Sequence, residues 1–246
     1  MACEFCQEFQ GTQFPLRDEL AAYGIEDRTV VRGRRARAFA GLGPISLGYA
    51  LVSPVAHVTC LADVDAETLL EIEHQRRQIS QALRATYGSA TCFEHGSRLE
   101  GRSGACYDHA HLHVIGGQPD LRSAAREVGR EFPFDRLTQL PSICAGASDY
   151  LLLGTDDGQF YAYEVCAELP SQFFRQRWAR EVPGATSYDW GVTPNYKLLS
   201  DTVEFFQKQL SQERAEASDC NGRSARPGQR PSLRPRQGND RASANI

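Results

Sequence analysis

His109-Ala110-His111-Leu112-His113-Val114 sets three imidazoles at spacing two, with small or aliphatic residues between them. A strand alternates its side chains between two faces, so an extended reading projects the three rings from one face, each roughly 6.6 Å from the next. Ala110, Leu112 and Val114 then point into a core. Histidine is the side chain most readily used near neutral pH as nucleophile, proton carrier or metal ligand. Half of the chain's six histidines fall in these five residues, and Gly116-Gly117 follows as a turn signal. The stretch reads as a site; the competing reading is an exposed strand face that happens to carry histidines.

Upstream, Thr29 to Arg32 and Ala36 to Ala40 alternate as strands around Gly33-Arg34, and Ser46 to Val52 alternates after a turn at Gly41 to Pro44. Pro54 and His57 fall in the loop that follows. From Ala66 to Tyr87 the residues Leu69, Leu70, Ile72, Ile79, Ala82 and Leu83 recur with helical period. Glu71, Gln75, Arg76, Arg77 and Gln78 lie opposite them, and Gly88 ends the helix. Ser89 to Glu94 reads as a strand, Gly96 to Gly104 as a polar loop, and His109 to Ile115 as the strand carrying the three histidines. Strands and helix in this order, with hairpin-length connections, predict an α+β fold with an antiparallel sheet.

Downstream, Tyr150 to Gly154 and Phe160 to Val165 flank Asp156-Asp157-Gly158 as a hairpin. Gln172 to Arg180 and Asp201 to Leu210 read as helices, the second with Val203, Phe206 and Leu210 on one face. From about Ser211 onward hydrophobic residues nearly vanish. The stretch 221–246 is built from Arg, Ser, Pro, Gly and Asn, too poor in apolar surface to offset its ordering entropy, and is expected to be disordered. At 246 residues the chain can bury one large core or two small ones. Its net charge of −4 shows no folded basic face, so the tail arginines read as solvated and nucleic acid is not the expected partner. No apolar run approaches the roughly 20 residues that span a bilayer, and the N-terminus lacks a basic region followed by an apolar one. A cytoplasmic protein without a membrane partner is expected. The eight cysteines are scattered, so reduced thiols or metal ligands are favoured over disulfides. Cys60, Cys92, Cys106, Cys144, Cys166 and Cys220 read as buried small hydrophobes. Cys3-Glu4-Phe5-Cys6 is a CxxC pair that by itself serves equally as a redox motif or two ordinary thiols, and zinc would need two further N or S ligands.

His109, His111 and His113 resemble the HφHφHφ signature of the histidine-triad (HIT) superfamily, where φ is hydrophobic. Leu47 to His57 is similar to the strand, proline and histidine that precede that family's long helix, and the resemblance extends over roughly residues 1 to 117. It implies a HIT-like antiparallel sheet with a packed long helix, and hydrolysis or transfer at the α-phosphate of a nucleotide conjugate. By the same resemblance His111 is the nucleophile that forms a nucleotidyl-imidazole, and His113 stabilises the phosphoryl charge. His113 stands against the uridylyl-transferring branch, which usually carries glutamine there. Some bacterial members bind zinc through an N-terminal CxxC, a histidine before the long helix and the first triad histidine. The matching positions are Cys3, Cys6, His57 and His109, a closed structural set.

The chain departs from the family before the triad, where Gly104, Ala105, Cys106, Tyr107 and Asp108 leave mostly backbone to contact substrate at Gly104. Glu94-His95-Gly96 stands where relatives often have an asparagine and glycine. His95 is a candidate acid toward the leaving group, or an ordinary strand-end histidine. At the start of the helix from Gln172, Arg175 is a candidate phosphate ligand or a surface arginine, and Trp190 stacks on a base or packs. The expected organisation is a HIT-like catalytic domain at 1–140, a smaller C-terminal α+β extension at 141–210 and a tail at 211–246. A homodimer is left open. The expected activity is a nucleotidyl hydrolase or transferase. A nucleotide-binding regulatory protein with vestigial activity, and a zinc-stabilised module using its tail for nucleic acid, are the alternatives.

Overall fold

Asp65 accepts hydrogen bonds from the backbone N–H and hydroxyl of Thr68, and Gly88 closes the same helix in the left-handed region at φ 74°. These caps bound α3 to Ala66–Tyr87, the span that the apolar period predicts. Leu69, Ile72, Ile79 and Leu83 are completely buried, whereas Leu70 is 61% exposed and belongs to the outer face. Gln75 and Arg76, expected on the solvent side, are buried as well. Gln75 Nε2 donates to Ala36 O at 2.9 Å, and Arg76 pairs with Glu73 at 2.8 Å. The helix lies along a sheet, so its covered stripe is wider than its apolar one.

The computed structural model describes residues 3–11, 15–99, 108–165, 169–185 and 187–223, with side chains as far as 212. In chain order the elements are α1 (Glu4–Gln10), α2 (Arg17–Ala22), β1 (Thr29–Arg32), β2 (Ala36–Ala40), β3 (Ala50–Pro54), α3, β4 (Ala90–Ser97) and β5 (Leu112–Gly116). Then follow α4 (Leu121–Val128), β6 (Gly129–Phe134), α5 (Leu140–Ile143), β7 (Asp149–Gly154), β8 (Phe160–Val165), α6 (Phe173–Glu181) and α7 (Tyr196–Arg223). Eight strands form one antiparallel sheet in the order β1-β2-β3-β5-β4-β7-β8-β6. The expected hairpin around Asp156-Asp157-Gly158 is the β7–β8 pair, and β7 joins the first-half strands through β4.

Both faces of the sheet are covered. On one, Ala38, Val52, Ala110, Leu112 and Val114 pack against α3, joined by Phe206 and Leu210 of α7. On the other, Phe39, Leu51, Phe93 and Ile115 pack under Phe5 and Phe9 of α1 and Phe173, Phe174 and Trp178 of α6. This accounts for β3 and β5 being buried at every position rather than at alternate ones. Leu112 and Val114 have no exposed surface, and each such side chain contributes roughly 1.5–3 kcal/mol by leaving water.

Several strand and helix limits differ from the sequence reading. The expected Ser46–Val52 strand begins only at Ala50, because Gly48 turns the chain at φ 80° and its N–H donates to Thr202 Oγ of α7. β4 runs on through Gly96 and Ser97, which were read as loop, since β7 pairs with it to Ser97. The expected Asp201–Leu210 helix extends from Tyr196 to Arg223. α4 and β6 were not foreseen, although Leu121, Ala124, Ala125 and Val128 of α4 recur at helical spacing. Gly104, Cys106 and Cys166, like residues 224–246 of the tail, lie outside the described residues, and so does the side chain of Cys220. Cys60, Cys92 and Cys144 are buried, as expected. No helix among the described residues is long and apolar enough to cross a membrane.

Candidate functional site

β5 starts at Leu112, so His113 alone of the three histidines sits in the strand ladder, opposite Leu51 of β3 and Phe93 of β4. His109 and His111 occupy the approach to it. Other bonds hold that approach: Ala110 N–H donates to Val58 O at 2.7 Å and Ser53 Oγ donates to Ala110 O at 2.8 Å. The intervening Ala110, Leu112 and Val114 face α3 as expected, and all three histidines are buried under the opposite layer.

The partners of the rings decide which nitrogen carries the proton. His111 Nδ1 lies 2.7 Å from His109 O. A carbonyl only accepts, so Nδ1 bears the hydrogen and Nε2 keeps a free lone pair. Burial, aided by the Arg175 and Arg28 charges and opposed by the hydrogen bond to His109 O, brings the His111 pKa down to about 4, so the ring is neutral at pH 7. His109 Nε2 lies 3.0 Å from Pro54 O, and the same argument leaves its lone pair on Nδ1. His113 is sandwiched: Phe93 stacks on it at 4.5 Å and 11°, and Tyr49 OH meets its Nδ1 at 2.7 Å. Burial holds His113 well below the usual histidine range, with the His111, Arg175 and His95 charges acting in the same direction.

His109 Nδ1 faces the N-terminal thiols, 3.2 Å from Cys3 Sγ and 3.6 Å from Cys6 Sγ, and His57 Nδ1 is 3.6 Å from Cys6 Sγ. The four ligand atoms lie within 4.8 Å of one another. A tetrahedral zinc with N/S ligands needs them about 3.3–3.8 Å apart, so the cluster is compatible with zinc in atom type and spacing, and the His109 tautomer leaves Nδ1 free to ligate. Helix α1 brings the thiols there. Cys3 caps its start, Gly11 ends it at φ 68°, and Phe5 and Phe9 pin it edge-on against Phe39. Glu8 adds a bidentate pair to the buried Arg28, at 2.6 and 2.7 Å. The four residues that the family resemblance assigns to metal are thus brought together.

A cavity of about 20 Å³ adjoins the histidines, lined by Phe5, Arg28, Leu42, Tyr49, Leu51, His111, His113, Arg175 and Trp190. Arg175 is only 2% exposed. Its Nε donates to Gln172 Oε1 at 3.0 Å and Tyr188 O at 2.9 Å, and its Nη2 donates to Gly43 O at 2.7 Å. Its Nη1 is buried with no hydrogen-bond partner, and no carboxylate among the described residues pairs with it. Such a buried cation with an open donor suits an anion. Trp190 packs so tightly over Gly43 that a Cβ there would lie 2.5 Å from the Trp190 Cβ. His95 sits two residues along β4 from Phe93, on the same strand face, with Nδ1 buried and unpartnered; burial pushes it down to about 4. It does not line the cavity.

Sequence reasoning missed Tyr49 and Arg28. Tyr49 was read as one residue of a strand, and nothing local marks its partner 64 positions away. Arg28 precedes its strand without any pattern. Helical period located Arg175 near the start of its helix, while its burial beside the triad comes from the packing of α6 on the sheet.

No family model matches this chain, and no curated protein matches it. Among solved structures it resembles a member of the HIT family of proteins from Bacillus subtilis, with 20% identity, 49% of this chain and 76% of that one covered, and a TM-score of 0.37. It also resembles a HIT family hydrolase from Clostridium thermocellum, at 16% identity, 48% and 93% coverage and a TM-score of 0.34. A third is a Zn-bound histidine triad family protein from Mycobacterium smegmatis, at 18% identity, 59% and 96% coverage and a TM-score of 0.36. The functional reading rests on the geometry of the site itself.

Proposed function

We propose that this chain is a histidine-triad enzyme that hydrolyses or transfers a nucleotidyl group through His111. The observation that carries the reading is the Nδ1–H of His111 held on His109 O, which leaves a neutral ring with its Nε2 lone pair available. That lone pair forms the N–P bond at an α-phosphate while the bond to the leaving group breaks, the electron pair departing with that group. Water or another acceptor then attacks phosphorus, and the electrons of the N–P bond return to Nε2.

His113 and the open Nη1 of Arg175 lie beside His111, where they would hold phosphoryl oxygens as charge develops. His95 would serve the leaving group from the neighbouring strand, and Gly104 would offer its backbone. Zinc at Cys3, Cys6, His57 and His109 would be a closed structural ion tying the N-terminus to the approach of the catalytic strand. In this reading residues 1–140 form the catalytic unit and residues 141–210 extend it by supplying Arg175.

The test is a panel of dinucleoside polyphosphates, nucleoside phosphoramidates and nucleotide sugars, with products separated and the protein weighed intact under non-acidic conditions. An acid-labile nucleotidyl adduct in the wild type, absent from His111→Ala, supports the reading. Turnover that survives in His111→Ala overturns it.

A further inference from the structure

We infer that Tyr49 is a positioning residue that sets the tautomer of His113, donating its hydroxyl proton to Nδ1 so that Nε2 carries the hydrogen of the ring. The inference deepens the reading of the triad as catalytic, but its geometry stands without it. The contact is 2.7 Å long and lies between two side chains that are 2% and 8% exposed. Water therefore does not compete for it, and a neutral imidazole has one N–H to place. A phenol donates more readily than it accepts, and an imidazole nitrogen with a lone pair is the stronger acceptor of the two groups.

The ring planes of Tyr49 and His113 are 16° apart and Phe93 covers the His113 ring face, so the imidazole stays in its plane, and a half-turn within that plane would put Cδ2 in place of Nδ1 and lose the Tyr49 hydroxyl. Tyr49 is itself fixed. Gly41 lies so close that a Cβ there would fall 2.3 Å from the Tyr49 ring, and the Arg175 guanidinium sits 5.1 Å above that ring.

The consequence is a division of labour among three neighbouring rings. A carbonyl forces His111 to keep its lone pair on Nε2, while Tyr49 gives the adjacent His113 the opposite pattern, an N–H at Nε2. Their centroids are 4.7 Å apart. A lone pair that attacks and an N–H that donates to a phosphoryl oxygen or leaving atom thus stand side by side, with no protonated imidazole required. Two rings of like tautomer would offer two bases or two donors.

The test is histidine ¹⁵N NMR on the full-length, zinc-loaded protein, with the His113 signals assigned by their loss in His113→Gln. Wild type is expected to show an unprotonated Nδ1 and a protonated Nε2 on His113, and Tyr49→Phe, which keeps the aromatic ring, is expected to shift His113 toward the other tautomer. A wild-type His113 protonated on Nδ1, or a tautomer unchanged in Tyr49→Phe, overturns the inference. The NMR readout needs no substrate, so its failure is distinct from failure of the enzymatic reading. With a nucleoside phosphoramidate as probe, Tyr49→Phe should lower kcat at least about tenfold and change KM less than about threefold. Loss confined to KM would count against a role in setting the donor.

Discussion

Glu94→Gln tests the energetics of the core that carries the site. Glu94 is 2% exposed on β4, where it accepts a hydrogen bond from Tyr150 OH at 2.6 Å and another from Leu61 N–H at 2.8 Å. No cation among the described residues pairs with it. Burial raises its pKa from 4.5 to about 8, helped by the Asp63 charge and opposed by the two hydrogen bonds. At pH 7 the folded protein therefore holds a proton that the unfolded chain has released. Below pH 4.5 both states are protonated and the contribution of the neutral acid is complete. As pH rises toward 8 the unfolded state binds fewer protons, and stability falls about tenfold in the folding equilibrium per pH unit, or about 4 kcal/mol between pH 5 and 8. Glutamine keeps the shape and neutrality of the acid without a proton to lose. Urea unfolding of zinc-loaded protein, followed by circular dichroism at pH 5, 6, 7 and 8, measures the difference between variant and wild type. That difference should move in favour of Glu94→Gln by about 4 kcal/mol across the range. Parallel pH profiles for the two proteins would refute the reasoning.

Purified protein should contain about one zinc per chain, and Cys3→Ser or Cys6→Ser should lower both metal content and melting temperature. Elemental analysis with calorimetry checks this, and metal-free protein with unchanged melting would reject the site. His111→Ala should abolish turnover while binding of a nucleotide survives in titration calorimetry; turnover near wild type would exclude His111 as nucleophile. Arg175→Ala should lower kcat/KM at least about tenfold. Arg177→Ala and Arg180→Ala should leave it unchanged, because Arg177 leans toward Glu127 at 3.6 Å over Phe173 and Arg180 is exposed. Melting temperatures of all three separate lost binding from lost folding, and equal kinetics in all three would remove α6 from the phosphate site. Gly41→Ala should mimic Tyr49→Phe in the histidine spectrum, since the added methyl displaces the Tyr49 ring; an unaltered spectrum would show that this close approach does not hold the ring.

What could be read from the sequence was what short-range periodicity records. α3 was legible because its 3.6-residue pattern and the Gly88 that ends it are local to the helix. The β1–β2 and β7–β8 pairs were legible because each strand is joined to its partner by a short turn. The clustering of three imidazoles on one face was visible in their spacing alone, although the chain joins the ladder only at Leu112, after His111. The cluster of Cys3, Cys6, His57 and His109, compatible with zinc, was reached only through a family resemblance, since nothing in the spacing of these residues brings a terminus to a central strand.

Tertiary structure decided what depends on contacts between distant segments. Burial of both sheet faces made Gln75 and Arg76 interior, a result that an amphipathic helix read in isolation contradicts. The pairing of Tyr49 with His113 follows from β3 lying beside β5, and the open guanidinium of Arg175 reaches the triad only because α6 packs across the same face. The tautomers of the three histidines depend on a neighbouring carbonyl, a proline carbonyl 55 residues away and a tyrosine hydroxyl 64 residues away. Residue types and local spacing determined that imidazoles stand together here, whereas the proton on each ring is set by whichever acceptor or donor the fold brings within hydrogen-bond reach.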